Sequence, residues 1–150
     1  MTIGSGGNLD ASALVGQAWK FAGVTTFSVA LMNCQGTPDP GTAPYVTVTP
    51  KGATSAIATG LYRDSTSTSK GFGIVLADTA SKTNSPATLG STSLIKTGAT
   101  NIRLETSGVP TATTYWLTTG VACGDAAACA AGKLASGSLK ATFTLDFTYK

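Results

Sequence analysis

The feature that most constrains the fold is an uninterrupted alternation of apolar and polar residues over 139–149. The apolar positions are Leu139, Ala141, Phe143, Leu145, Phe147 and Tyr149. Successive side chains of a β-strand point to opposite faces, so this period of two predicts a half-buried strand. Only Lys150 follows it, so we expect no later element of this chain to cover the strand's edge. An uncovered apolar edge is a template for pairing with another chain.

Further strand candidates are separated by clusters of turn-forming residues. They occupy residues 25–31, 45–49, 56–62, 72–76, 101–105 and 113–119. Short strands spaced in this way are typical of an all-β sandwich. We also predict a helix over 11–18 with Asp10 as its N-cap, and a helical turn in the Ala-rich stretch 126–134. The length of 150 residues predicts a single domain, 1–150.

Composition bears on several classes of function. Ten basic and seven acidic residues give a net charge of +3, without any run of Lys or Arg, which does not favour nucleic-acid binding. Polar residues interrupt every apolar run, so no membrane-spanning segment is predicted. Residues 1–7 lack the basic and apolar regions of a signal peptide.

The chain is predicted not to be an enzyme and to need no cofactor. It has no His, which excludes a Ser-His-Asp or Cys-His arrangement, and its acidic residues are scattered. Gly71-Phe72-Gly73 leads into a predicted strand rather than a helix, unlike a phosphate-binding loop. Trp19, Tyr115 and Trp116 could form a carbohydrate platform, although such aromatic residues more often fill a sandwich core.

Cys123 and Cys129 enclose a loop of small residues that could close a disulfide in an oxidising compartment. A metal site is not predicted, because the chain has no His and three thiols lack a fourth ligand. Cys34 is left over, and a buried free thiol is one common fate for such a residue.

Several stretches resemble subunits of chaperone–usher pili. Such subunits end in an alternating strand with Tyr as the penultimate residue and Gly fourteenth from the end, where this chain has Tyr149 and Gly137. Residues 27–34 resemble the pilin strand that carries a second disulfide cysteine, and residues 9–26 resemble the loop before it. Residues 73–78, Gly-Ile-Val-Leu-Ala-Asp, are similar to a strand in the middle of the pilin domain. The resemblance covers most of the chain.

The resemblance implies an incomplete immunoglobulin-like sandwich that is completed by a donor strand. A periplasmic chaperone would first fill the groove, and a neighbouring subunit would then replace it after delivery to the outer-membrane usher. The implied location is an adhesive pilus on the bacterial surface, reached through the periplasm. The chaperone's basic residues would anchor the terminal carboxylate of Lys150. The implied groove residues are Gly137, Leu139, Ala141, Phe143, Leu145, Phe147, Tyr149 and Lys150.

The N-terminus departs from the pilin pattern, because neither a donor extension nor a first-strand cysteine precedes Cys34. The resemblance places the partner of Cys34 on such a first strand. Truncation, a segment supplied by another chain, or the second domain of a tip adhesin would each explain the departure. The chain is therefore expected to accept a strand but not to donate one. Two alternatives stay open: an ordinary terminal strand in a complete sandwich, and a tip adhesin or attachment module that binds a host glycan or protein receptor.

Overall fold

The computed structural model describes residues 1–32, 39–78, 100–103 and 113–150. These residues form strands and two short 3-10 turns, Ser12–Leu14 and Ala131–Lys133. The strands are β1 Ala22–Leu31, β2 Pro44–Pro50, β3 Thr54–Ala58, β4 Leu61–Asp64, β5 Gly73–Asp78, β6 Thr100–Arg103, β7 Thr113–Ala122 and β8 Phe143–Tyr149.

The strands form two antiparallel sheets. The larger sheet has the order β1-β7-β5-β4-β3, and the smaller sheet has the order β6-β2-β8. Val46 and Val48 of the smaller sheet pack against Leu76 and Leu117 of the larger one, and we call these four buried residues the central cluster. The predicted all-β, sandwich-like fold is thus confirmed.

Both faces of the larger sheet bury apolar residues. Along β5, Leu76 faces the central cluster, whereas Val75 and Ala77 point to the opposite face and pack with Phe21 and Leu61. A strand that is buried on both faces cannot show a clean alternation of apolar and polar residues. This burial explains the continuous apolar run within residues 74–77.

The single strand predicted over 56–62 is wrong. Residues 54–64 instead form a hairpin, in which β3 and β4 pair antiparallel on either side of a turn at Thr59 and Gly60. Gly60 has a φ of +74°, a conformation that glycine adopts without steric cost. The prediction failed because Ile57, Leu61 and Tyr62 are apolar on both sides of a turn whose signal was a single glycine.

The helix predicted over 11–18 is also wrong, because only the 3-10 turn Ser12–Leu14 forms. Asp10 does bind the start of this turn, since its Oδ1 accepts a hydrogen bond of 2.9 Å from the Ser12 N–H. Gly16 and Trp19 then adopt positive φ values of +71° and +51°, which end any right-handed helix. The Ala-rich stretch 126–134 forms turns and the second 3-10 element, as predicted.

The last strand is shorter than the alternation predicted, since β8 begins at Phe143 and not at Leu139. The chain before it leaves the regular ladder and binds the loop after β4. The carbonyl of Lys140 accepts a hydrogen bond of 2.8 Å from the Asp64 N–H, and the carbonyl of Ser138 accepts bonds from the N–H groups of Thr68 and Ser69. The other predicted strands are present with bounds shifted by a few residues; Leu104 and Glu105, at the end of one prediction, lie outside the described residues.

Candidate functional site

The candidate site is built around β8, which lies at the edge of the smaller sheet. It pairs with β2 in a regular register from Pro44 opposite Tyr149 to Pro50 opposite Phe143. Among the described residues, no strand pairs with its second edge. β8 therefore presents one edge that is open to further pairing.

The register decides which backbone groups face that open edge. Ala43 and Lys150 exchange two hydrogen bonds, of 2.7 and 3.1 Å, and Lys51 donates one of 2.9 Å to Thr142. Hydrogen-bonded pairs alternate along an antiparallel ladder, so Thr144, Asp146 and Thr148 direct their N–H and C=O groups toward β2. The odd-numbered residues between them direct theirs to the open edge.

The two prolines of β2 are compatible with this ladder. Pro44 and Pro50 lie opposite Tyr149 and Phe143, at positions that exchange no hydrogen bonds with β8. On the other side of β2, the ladder with β6 spans only Tyr45–Val48, so both prolines lie outside it. Proline lacks an N–H, and at these two positions none is needed.

The apolar face of β8 is only half covered. Phe143 and Leu145 are partly buried against the central cluster, and Phe143 also meets Tyr62 edge to face, with ring centroids 5.0 Å apart. Farther along, Phe147 is 36% exposed and packs against Tyr149 at a centroid distance of 5.2 Å. A terminal strand in a fully closed core would bury such residues more completely.

Strand β1 forms one edge of the larger sheet. Its Phe27 and Val29, opposite Leu117 and Tyr115 of β7, are half-buried and pack on the same central cluster as Leu145. Two edge strands from different sheets thus contribute partly exposed apolar side chains to one core. We call the open edge and the apolar face of β8, with the cavity described next, the groove.

A cavity of about 1020 Å³ lies before β8, beside residues 137–141. Phe72, Ile74 and Val121 form its apolar floor. Ile74 and Leu76 alternate along β5 and share one face, so the cavity floor and the central cluster lie on the same side of the larger sheet. The cavity is therefore an extension of the space between the two sheets. Of the predicted groove residues, those that line it are Gly137, Leu139 and Ala141.

A short polar network fixes the cavity wall formed by residues 137–141. The hydroxyls of Ser138 and Thr68 form a hydrogen bond of 3.0 Å. The Thr68 Oγ1 also accepts a hydrogen bond of 2.8 Å from the Ser138 N–H. Lys140 donates its N–H to the Ser67 Oγ at 3.1 Å. Gly137 sits against the backbone of Thr68 and Ser69, where a Cβ would collide. This close contact explains why position 137 requires a residue without a side chain.

Asp64 organises the other side of this network. Its Oδ1 accepts hydrogen bonds from the Thr66 Oγ1 at 2.6 Å and from the Thr66 N–H at 2.9 Å. These two bonds lower the pKa of Asp64 below its ordinary value, against the smaller opposing effect of burial. Arg63 adds a bond of 2.8 Å from its Nη2 to the carbonyl of Ser67.

The predicted disulfide between Cys123 and Cys129 is present. Both residues are fully buried beside Leu14, Phe72 and Val121, in a group that we call the disulfide cluster. Cys34 lies outside the described residues. Among the residues that are described, no group of His, Cys, Asp or Glu could hold a metal ion.

The aromatic residues of the alternative carbohydrate site do not form one surface. Tyr115 packs against the central cluster on the inner face of the larger sheet, whereas its neighbour Trp116 points to the other face. Trp19 packs against a separate group that includes Phe21 and Val75. The three residues are not brought together.

Sequence reasoning missed the N-terminal wall of the cavity. Ile3 and Leu9 are half-buried against the disulfide cluster, and both line the cavity. They are isolated apolar residues in a stretch rich in Gly, Ser and Asn, so no periodicity marks them. The weak signal available was their apolar character within an otherwise polar segment.

The chain matches no known protein-family model, and no curated protein matches it. In the part of the chain that the structure describes, no helix is long and apolar enough to cross a membrane.

Proposed function

We propose that this protein is a structural subunit of a chaperone–usher type pilus that accepts a β-strand from another chain. The observation that carries the proposal is the open edge of β8. Among the described residues, no strand pairs with this edge, and the apolar face of β8 is only partly buried. The similarity of Gly137, Tyr149 and the three internal motifs to pilins agrees with it.

The recognition would be strand addition. An incoming strand would hydrogen-bond to the outward-pointing N–H and C=O groups of Leu145, Phe147 and Tyr149. Its alternate side chains would pack on the apolar face of β8, over Leu145 and Phe147. Main-chain bonds would supply affinity, and the apolar positions would set the register.

On this proposal, the first partner is a periplasmic chaperone and the later partner is a neighbouring subunit, with assembly at an outer-membrane usher. The assembled fibre would support adhesion at the bacterial surface. The open β8 edge gives the chain an acceptor role.

The test is thermal unfolding with and without a synthetic peptide of alternating apolar residues. At about one hundred times its dissociation constant, a peptide that binds only the folded state adds roughly 2.7 kcal/mol of stability. A scrambled peptide of the same composition should leave the melting temperature unchanged. An alternating peptide that produces no shift in a cooperatively melting protein would refute the acceptor role.

Two neighbouring substitutions on β8 locate the binding. Phe147→Ser removes an exposed apolar side chain from the apolar face of β8, and Asp146→Ser changes an exposed residue on the opposite face. The first should weaken peptide binding by about tenfold or more, since burying a Phe side chain is worth about 1.5–3 kcal/mol. The second should leave affinity near the wild-type value. Equal effects would place the peptide elsewhere.

A further inference from the structure

The disulfide cluster also holds a segment of the chain that forms no regular strand or α-helix. Residues 11–19, which we call the docked segment, place Leu14 in the cluster with no exposed surface. Three of the segment's own backbone hydrogen bonds are internal: Leu14 donates to Ala11, Val15 to Ser12, and Gln17 to Leu14. Its hold on the rest of the protein therefore depends on Leu14 and Ala11 at the disulfide cluster, on Trp19 beside Phe21 and Val75, and on a few backbone contacts.

Those backbone contacts go to the loop that the disulfide closes, residues 123–129. The Gly16 N–H donates a hydrogen bond of 2.8 Å to the Cys129 carbonyl, and the Trp19 N–H donates one of 2.7 Å to the Gly124 carbonyl. The Sγ of Cys123 lies 3.5 Å from the carbonyl oxygen of Leu14. The disulfide closes the short loop that carries both receiving carbonyls, and it fixes their relative positions together with hydrogen bonds from the Ala128 and Cys129 N–H groups to Asp125.

The docked segment is also a wall of the cavity. Its Ala11, Ser12 and Val15 line the cavity, as do Leu139 and Ala141 before β8. Displacement of the segment would therefore widen the cavity beside the proposed acceptor groove.

We infer that the Cys123–Cys129 disulfide is a redox latch for the docked segment. When the bond is intact, it holds residues 11–19 on the sheet and closes one side of the cavity. When the bond is reduced, the loop loosens, the segment detaches and the cavity opens, while the ladder between β2 and β8 persists. The ladder persists because β2 and β8 lie in the other sheet and do not contribute to the disulfide cluster.

The reductant is a dithiol. One of its thiolates attacks a cysteine sulfur, the S–S bond breaks, and a mixed disulfide forms with the other cysteine leaving as a thiolate. The second thiol of the reductant then displaces the protein sulfur and closes a cyclic disulfide. The protein gains two electrons and two protons as two thiols, and the dithiol is oxidised by the same amount.

The latch works in both directions. Both cysteines are buried, at 1% and 0% exposure, and Leu14 packs against them. A reductant reaches the sulfurs after the docked segment lifts. If the bond favours docking, docking raises the free energy of reducing the bond by the same amount. Slower attack by a reductant follows separately, from the burial of both sulfurs.

The first test compares amide hydrogen exchange of the oxidised and dithiothreitol-reduced protein, both carrying Cys34→Ser to remove the third thiol. Exchange of the Gly16 and Trp19 amides should rise at least about tenfold on reduction, and the amides of Thr144, Asp146 and Thr148 should keep their protection. Unchanged exchange at Gly16 and Trp19 would overturn the latch. A uniform rise throughout the protein would also overturn it, because the bond would then support the whole fold.

The second test leaves the disulfide in place and needs no reduced protein to stay folded. Leu14→Ala loosens the docked segment, and Val15→Ala, at the neighbouring position with 41% exposure, is the matched control. Dithiothreitol should reduce the disulfide of Leu14→Ala at least about tenfold faster than that of Val15→Ala. Equal rates would show that the segment does not guard the bond.

The consequence of the latch for partner binding rests on the proposed function, but the latch itself does not. If the alternating peptide binds neither redox form while exchange at Gly16 responds to reduction, the latch stands and the acceptor role fails. If the peptide binds and exchange at Gly16 does not respond, the acceptor role stands and the latch fails.

Discussion

Gly137 shows how one residue fixes the chain before the open strand. It has a φ of +153° and lies against the backbone of Thr68 and Ser69, so a side chain there meets main-chain atoms that cannot rotate away. Replacement has to move either residues 137–141 or the loop after β4. Both carry the hydrogen bonds that shape the cavity wall.

We predict that Gly137→Ala lowers the free energy of unfolding by about 1–3 kcal/mol, through strain and lost hydrogen bonds at this contact. Urea denaturation measures the loss. The matched control is Gly132→Ala, where nothing lies within 4 Å of the added Cβ. If both variants had the same stability, the close approach at Gly137 would not matter energetically.

Asp64 makes a pH-dependent contribution at the same network. The Thr66 hydroxyl and then the Thr66 N–H lower its pKa, with a smaller favourable effect from Lys140. The folded state therefore binds a proton at Asp64 less readily than the unfolded state. The resulting stability is complete above the unfolded pKa of about 3.9 and is lost as pH falls through the lower folded pKa.

Unfolding free energy measured between pH 5 and pH 2 should fall more steeply for the wild type than for Asp64→Asn. Thr66→Val, which removes the hydroxyl donor, should reduce the slope in the same direction. Parallel curves for all three proteins would contradict the role assigned to the Thr66 bonds.

At the scale of one element, β8 should show alternating protection of its backbone amides. The N–H groups of Thr144, Asp146 and Thr148 point to β2, and those of Leu145 and Phe147 point to the open edge. We expect the second set to exchange at least about tenfold faster in residue-resolved hydrogen exchange. Amides of the central strand β7, which pairs on both sides, provide the protected reference.

A uniform protection along β8 would mean that another strand already covers the open edge. Addition of the alternating peptide should protect Leu145 and Phe147 selectively, because its main chain would bond to those groups. This pattern separates strand addition from binding to the side-chain face alone.

At the scale of the whole molecule, both sheets join strands that are distant in the sequence. Thr26 of β1 lies beside Thr118 of β7, 92 residues along the chain. Such pairing requires long loops to close, at a cost in chain entropy, before the contacts between strands stabilise the folded state. This cost slows folding.

We therefore expect refolding with the disulfide intact to take milliseconds to seconds, as is usual for folds dominated by non-local β pairing. Stopped-flow fluorescence of Trp19 and Trp116 measures the rate. A rate that does not change with protein concentration would establish that one chain folds alone. Folding within microseconds would contradict a transition state that contains the distant strand pairs.

The sequence by itself determined most strand positions and the all-β class. Alternation is a local property of consecutive residues, so Phe143, Leu145 and Phe147 mark one face of a strand whatever they pack against. The pairing of Cys123 with Cys129 was likewise predictable, because the two cysteines are close in sequence and enclose small residues.

Only the tertiary structure decided where that last strand lies and where it begins. Its edge position depends on which strand pairs with β2, and its start depends on hydrogen bonds from Lys140 to the loop after β4, far away in sequence. Residues 11–18 do not form the predicted helix because Gly16 and Trp19 adopt positive φ values, where their N–H groups bond to the loop 123–129, far away in sequence. These outcomes depend on contacts between distant residues, and periodicity carries no information about such contacts.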